Sequence, residues 1–134
     1  MSRDPDPEEW TSRLPLLFPE FKKRYQASID SNRGELLPYM IWAELARFLA
    51  EHRVRADEMM SSPKSSDLLA RVSSYLEEAS SCDAAEVQNL VQVGFLETVN
   101  DLPELRKLLQ PRFGRSTNVL LRQVDKYSPP ASNR

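Results

Sequence analysis

The stretch that decides the fold is residues 37–53, LPYMIWAELARFLAEHR. Its apolar side chains recur at spacings of three and four residues, which is the repeat of one face of an α-helix. Six residues make up that face: Leu37, Met40, Ile41, Leu45, Phe48 and Leu49. Because the face is broad, neighbouring elements must cover it on more than one side. The pattern predicts a central helix around which the rest of the chain packs.

The same periodicity extends outward in both directions. It predicts further helices over residues 8–17, 19–31, 63–80, 83–99, 103–109 and 116–127. The chain has only three glycines, and no Asn-Gly or Asp-Gly pair separates alternating apolar segments, so no hairpin is predicted. We therefore expect an all-α, compact single-domain bundle of about six or seven helices over residues 8–127, with flexible ends at 1–7 and 128–134.

Composition and charge narrow the classes of partner that this protein is expected to bind. The 134 residues are 40% hydrophobic and 28% charged, with a net charge of -2, which is typical of a globular protein and not of one that neutralises phosphates. Nucleic acid is therefore not an expected partner. No apolar run is long enough to span a bilayer, and the acidic N-terminus is unlike a signal peptide. The single Cys82 forms no internal disulfide, and we expect a cytoplasmic protein without membrane contact.

The residues that build most catalytic sites are scarce. His52 is the only histidine and Cys82 the only cysteine, too few for a protein zinc site, and no glycine-rich phosphate loop is present. The sequence therefore predicts a protein that is not an enzyme and that has no metal or cofactor. An enzyme using Glu44, Glu97 and the Arg112–Arg115 region remains an alternative only if those groups converge in one pocket.

Several polar residues interrupt otherwise apolar helices. Glu44 precedes Arg47 by three residues, which favours a structural ion pair. Asn89 and Glu97 fall on similar sides of one helix and together can tether a neighbouring helix. Gly94, inside the same helix, costs helix propensity, so we expect a close approach by another helix to compensate.

Two helix N-termini carry polar caps in this interpretation. Asp83 and Glu86, three residues apart, form an acidic analogue of a capping box. Arg112, Arg115 and Ser116, with the adjoining threonine cap, place cations and free amides at the start of the last helix. That arrangement is a candidate anion-binding site.

Four runs carry a family resemblance: Leu36–Met40, Glu44–Phe48, Tyr75–Ala79 and above all Glu86–Glu97. Over residues 14–125 the chain resembles a family of small uncharacterised bacterial all-helical proteins, with a Leu-Leu-Pro helix and later an Asn-Leu...Phe-Leu-Glu helix. The resemblance implies a compact helical domain without a known set of catalytic residues. Such proteins are similar in size, acidity and absent chemistry to immunity proteins that block a secreted toxin.

The leading hypothesis is therefore an immunity protein that binds and occludes a cognate toxin. A regulatory or scaffold helical module, which binds another cytoplasmic protein or itself, is the alternative, and the oligomeric state stays open. Acidic side chains favour association with a basic toxin surface, and a tryptophan can anchor an interface. The candidate partner-binding residues are Trp42, Asp57, Glu58, Glu77, Glu78, Asp83 and Glu86.

Overall fold

The computed structural model describes residues 6–58 and 63–127, and in residues 53–58 and 63–66 it describes the backbone alone. The α-helices are α1 (Pro7–Ser12), α2 (Leu14–Leu17), α3 (Lys22–Ser31), α4 (Pro38–Glu58), α5 (Pro63–Ser80), α6 (Ala85–Asn89), α7 (Glu97–Asn100), α8 (Pro103–Leu109) and α9 (Arg115–Tyr127). Short 3-10 turns cover Pro19–Phe21 and Gln110–Arg112, and a π-helical segment, Leu90–Leu96, joins α6 to α7.

The all-α prediction is confirmed. Counting α1 with α2, and α6 through α7 as one rod, gives seven helical units among the described residues, and these contain no strand. No helix within 6–58 or 63–127 is long and apolar enough to cross a bilayer. The predicted flexible ends lie mostly outside the described residues. Asp6, however, accepts a hydrogen bond from the Glu9 amide at 2.9 Å, so an ordered helix already begins at Pro7.

Helix α4 occupies the centre of the molecule, as residues 37–53 predicted. It packs most extensively against the π-helical segment and also contacts α1, α3, α5, α7 and α8. Ile41, Trp42, Leu45 and Leu49 are buried on its inner face. The burial of a broad apolar face against several helices explains why one helix organises the whole bundle.

Aromatic side chains join α1 and α2 to the two long helices. The Tyr75 ring lies 5.0 Å from that of Trp10, 5.9 Å from Phe18 and 6.0 Å from Trp42, measured between ring centroids. The Tyr75 hydroxyl donates a hydrogen bond to the Trp10 carbonyl at 2.6 Å. The Trp42 indole donates to the Thr11 hydroxyl at 2.9 Å. The short N-terminal helices are therefore held by ring packing and by hydrogen bonds in the same place.

The rod over residues 85–100 departs from the predicted continuous α-helix. Residues 90–96 form a π-helix, which places three consecutive residues, Gly94, Phe95 and Leu96, in the interior. The close approach expected at Gly94 is confirmed. A Cβ atom at this position would lie 3.2 Å from the Trp42 Cβ and 3.5 Å from the Tyr39 Cα. Only glycine lets the π-helical segment and α4 come this near without displacement.

The capping box predicted at Asp83 and Glu86 is wrong. The N-cap of α6 is Ala84, whose side chain accepts no capping hydrogen bond, and both acidic residues are exposed. The turn before α6 is stabilised instead by a residue of the helix itself, because the Gln88 side chain donates a hydrogen bond to the Cys82 carbonyl at 2.6 Å. The helix thus starts one residue later than a cap at Asp83 requires.

Candidate functional site

The N-terminus of α9 already binds an anion, the carboxylate of Glu77 from α5. One Glu77 oxygen accepts from the Thr117 amide and hydroxyl, each at 2.9 Å, and the other accepts from the Ser116 amide at 3.0 Å. Burial raises the pKa of Glu77, but these hydrogen bonds outweigh it and hold the pKa below its ordinary value. The helix dipole adds to the attraction.

This contact corrects two predictions. The candidate anion site at Arg112, Arg115 and Ser116 is wrong, because the chain's own carboxylate takes the amides that an external anion would need. Ser116 lies within the first turn of α9 instead of capping it. Glu77 is likewise not a surface residue that awaits a partner. The two arginines are exposed, and the Arg112 guanidinium donates to the Leu108 carbonyl.

Gly114 makes the contact with Glu77 possible, and the sequence interpretation overlooked it. A Cβ at Gly114 would lie 2.5 Å from both the Glu77 Cδ and Oε1 atoms. Its backbone has no positive φ, so the need for glycine is one of space alone. A glycine directly before a helix is a usable signal of close approach, but it does not reveal which distant side chain approaches.

The predicted partner anchor Trp42 is also wrong. Its side chain is 0% exposed, and it lies in the core with its only polar atom bonded to Thr11. Trp42 is not among the six residues of the apolar face predicted for α4. Tyr75 of α5, whose ring centroid lies 6.0 Å from that of Trp42, and Thr11 of α1 cover this side of the helix.

Glu44 has the structural role expected of it. Its carboxylate pairs with Arg47 at 2.6 Å and with Arg24 of α3 at 2.8 Å, while Arg24 also binds Glu51. Burial raises the pKa of Glu44, but the hydrogen bonds from both guanidiniums outweigh it, and the pKa lies below its ordinary value. The pair expected within α4 is therefore part of a network that also ties α3 to α4.

The polar pair on the α6–α7 rod is only half confirmed. The Asn89 amide donates to the Tyr39 hydroxyl at 2.9 Å and so tethers the rod to α4. Glu97 is half-buried and makes no side-chain hydrogen bond within the part of the chain that the structure describes. The π-helical turn between the two residues changes their relative angle, which was derived for an ideal α-helix.

The residues named for the enzyme alternative do not meet in the groove that Glu44 lines. The groove that Glu44 lines, between α3 and α4, contains neither Glu97 nor the arginines at 112 and 115. His52 stacks on Phe48 with ring centroids 5.7 Å apart. Among the side chains that the structure describes, no group of three histidine, cysteine, aspartate or glutamate residues is arranged to hold a metal ion.

The other acidic residues predicted to bind a partner either lie on the surface or have side chains outside the described residues. Glu78, Asp83 and Glu86 are exposed, so their roles in partner binding stay predictions. Asp57 and Glu58 end helix α4, but their side chains lie outside the described residues.

A concave acidic surface that the sequence did not reveal lies between α1 and the loop before α4. We call it the acidic groove; its volume is about 780 Å³ and it is lined by Asp6, Glu8, Glu9, Ser12, Glu35, Leu36 and Leu37. Glu35 reaches it from a different part of the chain, which is why no local pattern predicted the cluster. The lining combines carboxylates with the apolar surface of two half-buried leucines.

A family model described as a domain of unknown function, DUF7674, matches residues 12–128, and the chain belongs to that family. The match covers most of the chain, in agreement with the uncharacterised family that the sequence resembles. No curated protein and no solved structure matches the chain.

Proposed function

We propose that this DUF7674 chain is a protein-binding domain that neutralises a cognate bacterial toxin in the cytoplasm by covering a basic surface of that toxin. The observation that carries the proposal is the acidic groove. Glu8 from α1 and Glu35 from the loop before α4 both line it, so carboxylates from two separate segments face one concavity. Both side chains are exposed and available to a partner.

The chemistry of the groove fits a segment rich in lysine or arginine. Long basic side chains bury their aliphatic stems on apolar surface while the charged ends stay near carboxylates. Leu36 and Leu37 supply that apolar surface. Opposite charges on two surfaces also steer diffusional encounter, so acidic complementarity raises the association rate with a basic toxin.

The use of the other carboxylates favours binding over catalysis. Glu44 is held by two guanidiniums, and Glu77 by the N-terminus of α9, so neither is placed to transfer a proton to a substrate. Their pKa values are both lowered, which is the opposite of what a general acid at neutral pH requires.

A regulatory or scaffold module remains the second candidate, and one observation favours it. The leucine at position 16 is 81% exposed, the largest exposed fraction among the large apolar side chains of the described residues. Exposed apolar surface marks contact sites of many kinds, so it does not select a toxin as partner.

The test uses the full chain and the product of the neighbouring toxin gene. Co-expression should protect cells, and association rates should be measured at low and high salt for the native chain and two double variants. Glu8→Lys/Glu35→Lys reverses charge in the acidic groove, and Asp83→Lys/Glu86→Lys makes the same change in charge at the turn between α5 and α6. We expect the groove variant to associate about tenfold more slowly at low salt and to show a weaker salt dependence.

Circular dichroism of each sample separates a lost complex from a lost fold. A slowed groove variant beside an unaffected control supports the proposal. The reverse pattern transfers the interface to Asp83 and Glu86 and removes the groove from it. Absence of any binding or protection by the native chain rejects this toxin as the partner and leaves the scaffold role.

A further inference from the structure

A second surface, separate from the acidic groove, combines exposed leucines with unpaired charges. It lies where α2 meets α5, has a volume of about 480 Å³, and we call it the α2–α5 groove. Leu17 lines it and is 44% exposed, while the adjacent Leu16 is 81% exposed. Phe18 and Tyr75 form the buried floor of the groove beside Leu17, so the apolar surface open to a partner is mainly that of the leucine.

The two arginines of this groove differ in their ion pairs. Arg71 is saturated, because it binds Glu20 at 2.6 Å and Asp67 at 2.8 Å and also donates to the Leu17 carbonyl at 3.2 Å. Arg13 differs from it. Its guanidinium lies 5.4 Å from the centre of the Trp10 ring and is hydrogen-bonded to the Tyr75 hydroxyl, but it forms no ion pair with any carboxylate that the structure describes.

Glu78 is the acidic counterpart of Arg13 in the groove. It is exposed and pairs with no cation among the described side chains. The lining of the α2–α5 groove therefore contains one cation and one anion that form no ion pair among the described side chains, together with the exposed Leu17. A partner of a single charge sign would satisfy one of these groups and oppose the other.

We propose that the α2–α5 groove is a two-fold interface between two copies of this chain. A two-fold interface requires a self-complementary surface, because each residue pair occurs twice with the roles exchanged. Arg13 of one copy meets Glu78 of the other, and the second pair forms by symmetry. The exposed leucines of both copies pack between these two ion pairs. Interfaces of this kind usually have an apolar centre and a polar rim. This assembly is independent of toxin binding.

The apolar contact is tested by sedimentation velocity over a wide range of concentrations of the full chain. We expect the native chain to dimerise and Leu17→Lys to weaken the dimer by about tenfold or more, since a lysine in the groove lining leaves a buried charge unpaired in the interface. Val119→Lys is the matched control. Val119 is 43% exposed on α9, away from the groove lining, and its replacement should leave the dimer unchanged.

The ion pair is tested by exchanging its charges. Arg13→Glu and Glu78→Arg should each weaken the dimer, because like charges then face each other across the interface. The double variant Arg13→Glu/Glu78→Arg should restore it. Circular dichroism confirms that each monomer is folded. A native chain that stays monomeric at every concentration overturns the proposal, as does a dimer that depends on Val119 or a double variant that remains as weak as the single ones.

Discussion

The carboxylate of Glu77 and the amide of Thr117 lie 2.9 Å apart, although 40 residues separate them in the chain. The first amides of a helix have no partner within the helix, and here a side chain from another helix supplies one. Glu77 thus links α5 to α9 and occupies a site that otherwise attracts external anions. Five structural predictions rest on this contact and on two buried contacts of α4.

Glu77→Gln should lower the free energy of unfolding by about 1–3 kcal/mol, because a neutral amide offers one acceptor oxygen and no charge to the helix N-terminus. Urea unfolding followed by circular dichroism measures the change. Glu35→Gln is the control, because Glu35 is an exposed loop residue outside the α2–α5 groove, and it should change stability by no more than about 0.5 kcal/mol. Equal effects of both substitutions would show that the capping contact contributes nothing.

The contribution of Glu77 should also depend on pH. Its pKa in the folded protein lies below the value of about 4.3 that the unfolded chain shows. The contact therefore stabilises the protein fully above the unfolded pKa and is lost as the pH falls through the folded one. The stability difference between the native chain and Glu77→Gln should be constant at neutral pH and narrow in acid. A difference that widens in acid would contradict the assignment.

Gly114→Ala should destabilise the protein by about 1–3 kcal/mol, because the added Cβ would lie 2.5 Å from the Glu77 carboxylate and must displace it. Unfolding of a double-mutant cycle measures the coupling. In a Glu77→Ala background the same substitution should cost less by more than about 0.5 kcal/mol, since the clashing group is gone. If the two free-energy changes are strictly additive, the cost of Gly114→Ala does not arise from its contact with Glu77.

Gly94→Leu should cost about 1–3 kcal/mol, because its side chain overfills the contact between the π-helical segment and α4. A Cβ at this position would lie 3.2 Å from the Trp42 Cβ and 3.5 Å from the Tyr39 Cα, which move only with α4 itself, and 3.4 Å from the Leu90 Cδ1, which can rotate away. Urea unfolding is the measurement. An unchanged or more stable variant would mean that the two helices separate easily at this point.

Trp42→Ala should destabilise the protein by about 3–5 kcal/mol, the range for removing a large aromatic side chain from a core. It also leaves the buried Thr11 hydroxyl without its donor. Urea unfolding gives the free energy, and protection of the native tryptophan fluorescence from iodide gives an independent check on burial. A variant of native stability would return Trp42 to the surface role that the sequence suggested.

The helices and the central position of α4 could be predicted from the sequence, because the repeat of apolar residues is a local property of the chain. The sequence also indicated the Arg47 partner of Glu44, three residues away, and the close approach at Gly94. Each of these conclusions depends on residues within a few turns of one another. The sequence did not indicate the π-helical turn, because such single turns are rare and the apolar repeat of residues 83–99 is the one that an α-helix also shows.

The tertiary structure alone decided which helix faces meet. Glu77 and Glu78 are adjacent acidic residues of similar sequence context, yet one caps α9 and the other is exposed. Successive side chains on a helix point about 100° apart, so only the position of the neighbouring helix separates their roles. The same holds for Trp42, which Tyr75 of α5 and Thr11 of α1 contact in the core, and for the acidic groove, whose Glu35 comes from a distant loop. Contacts between residues far apart in the chain produce no repeating pattern in the sequence, because the packing of whole helices determines which residues meet.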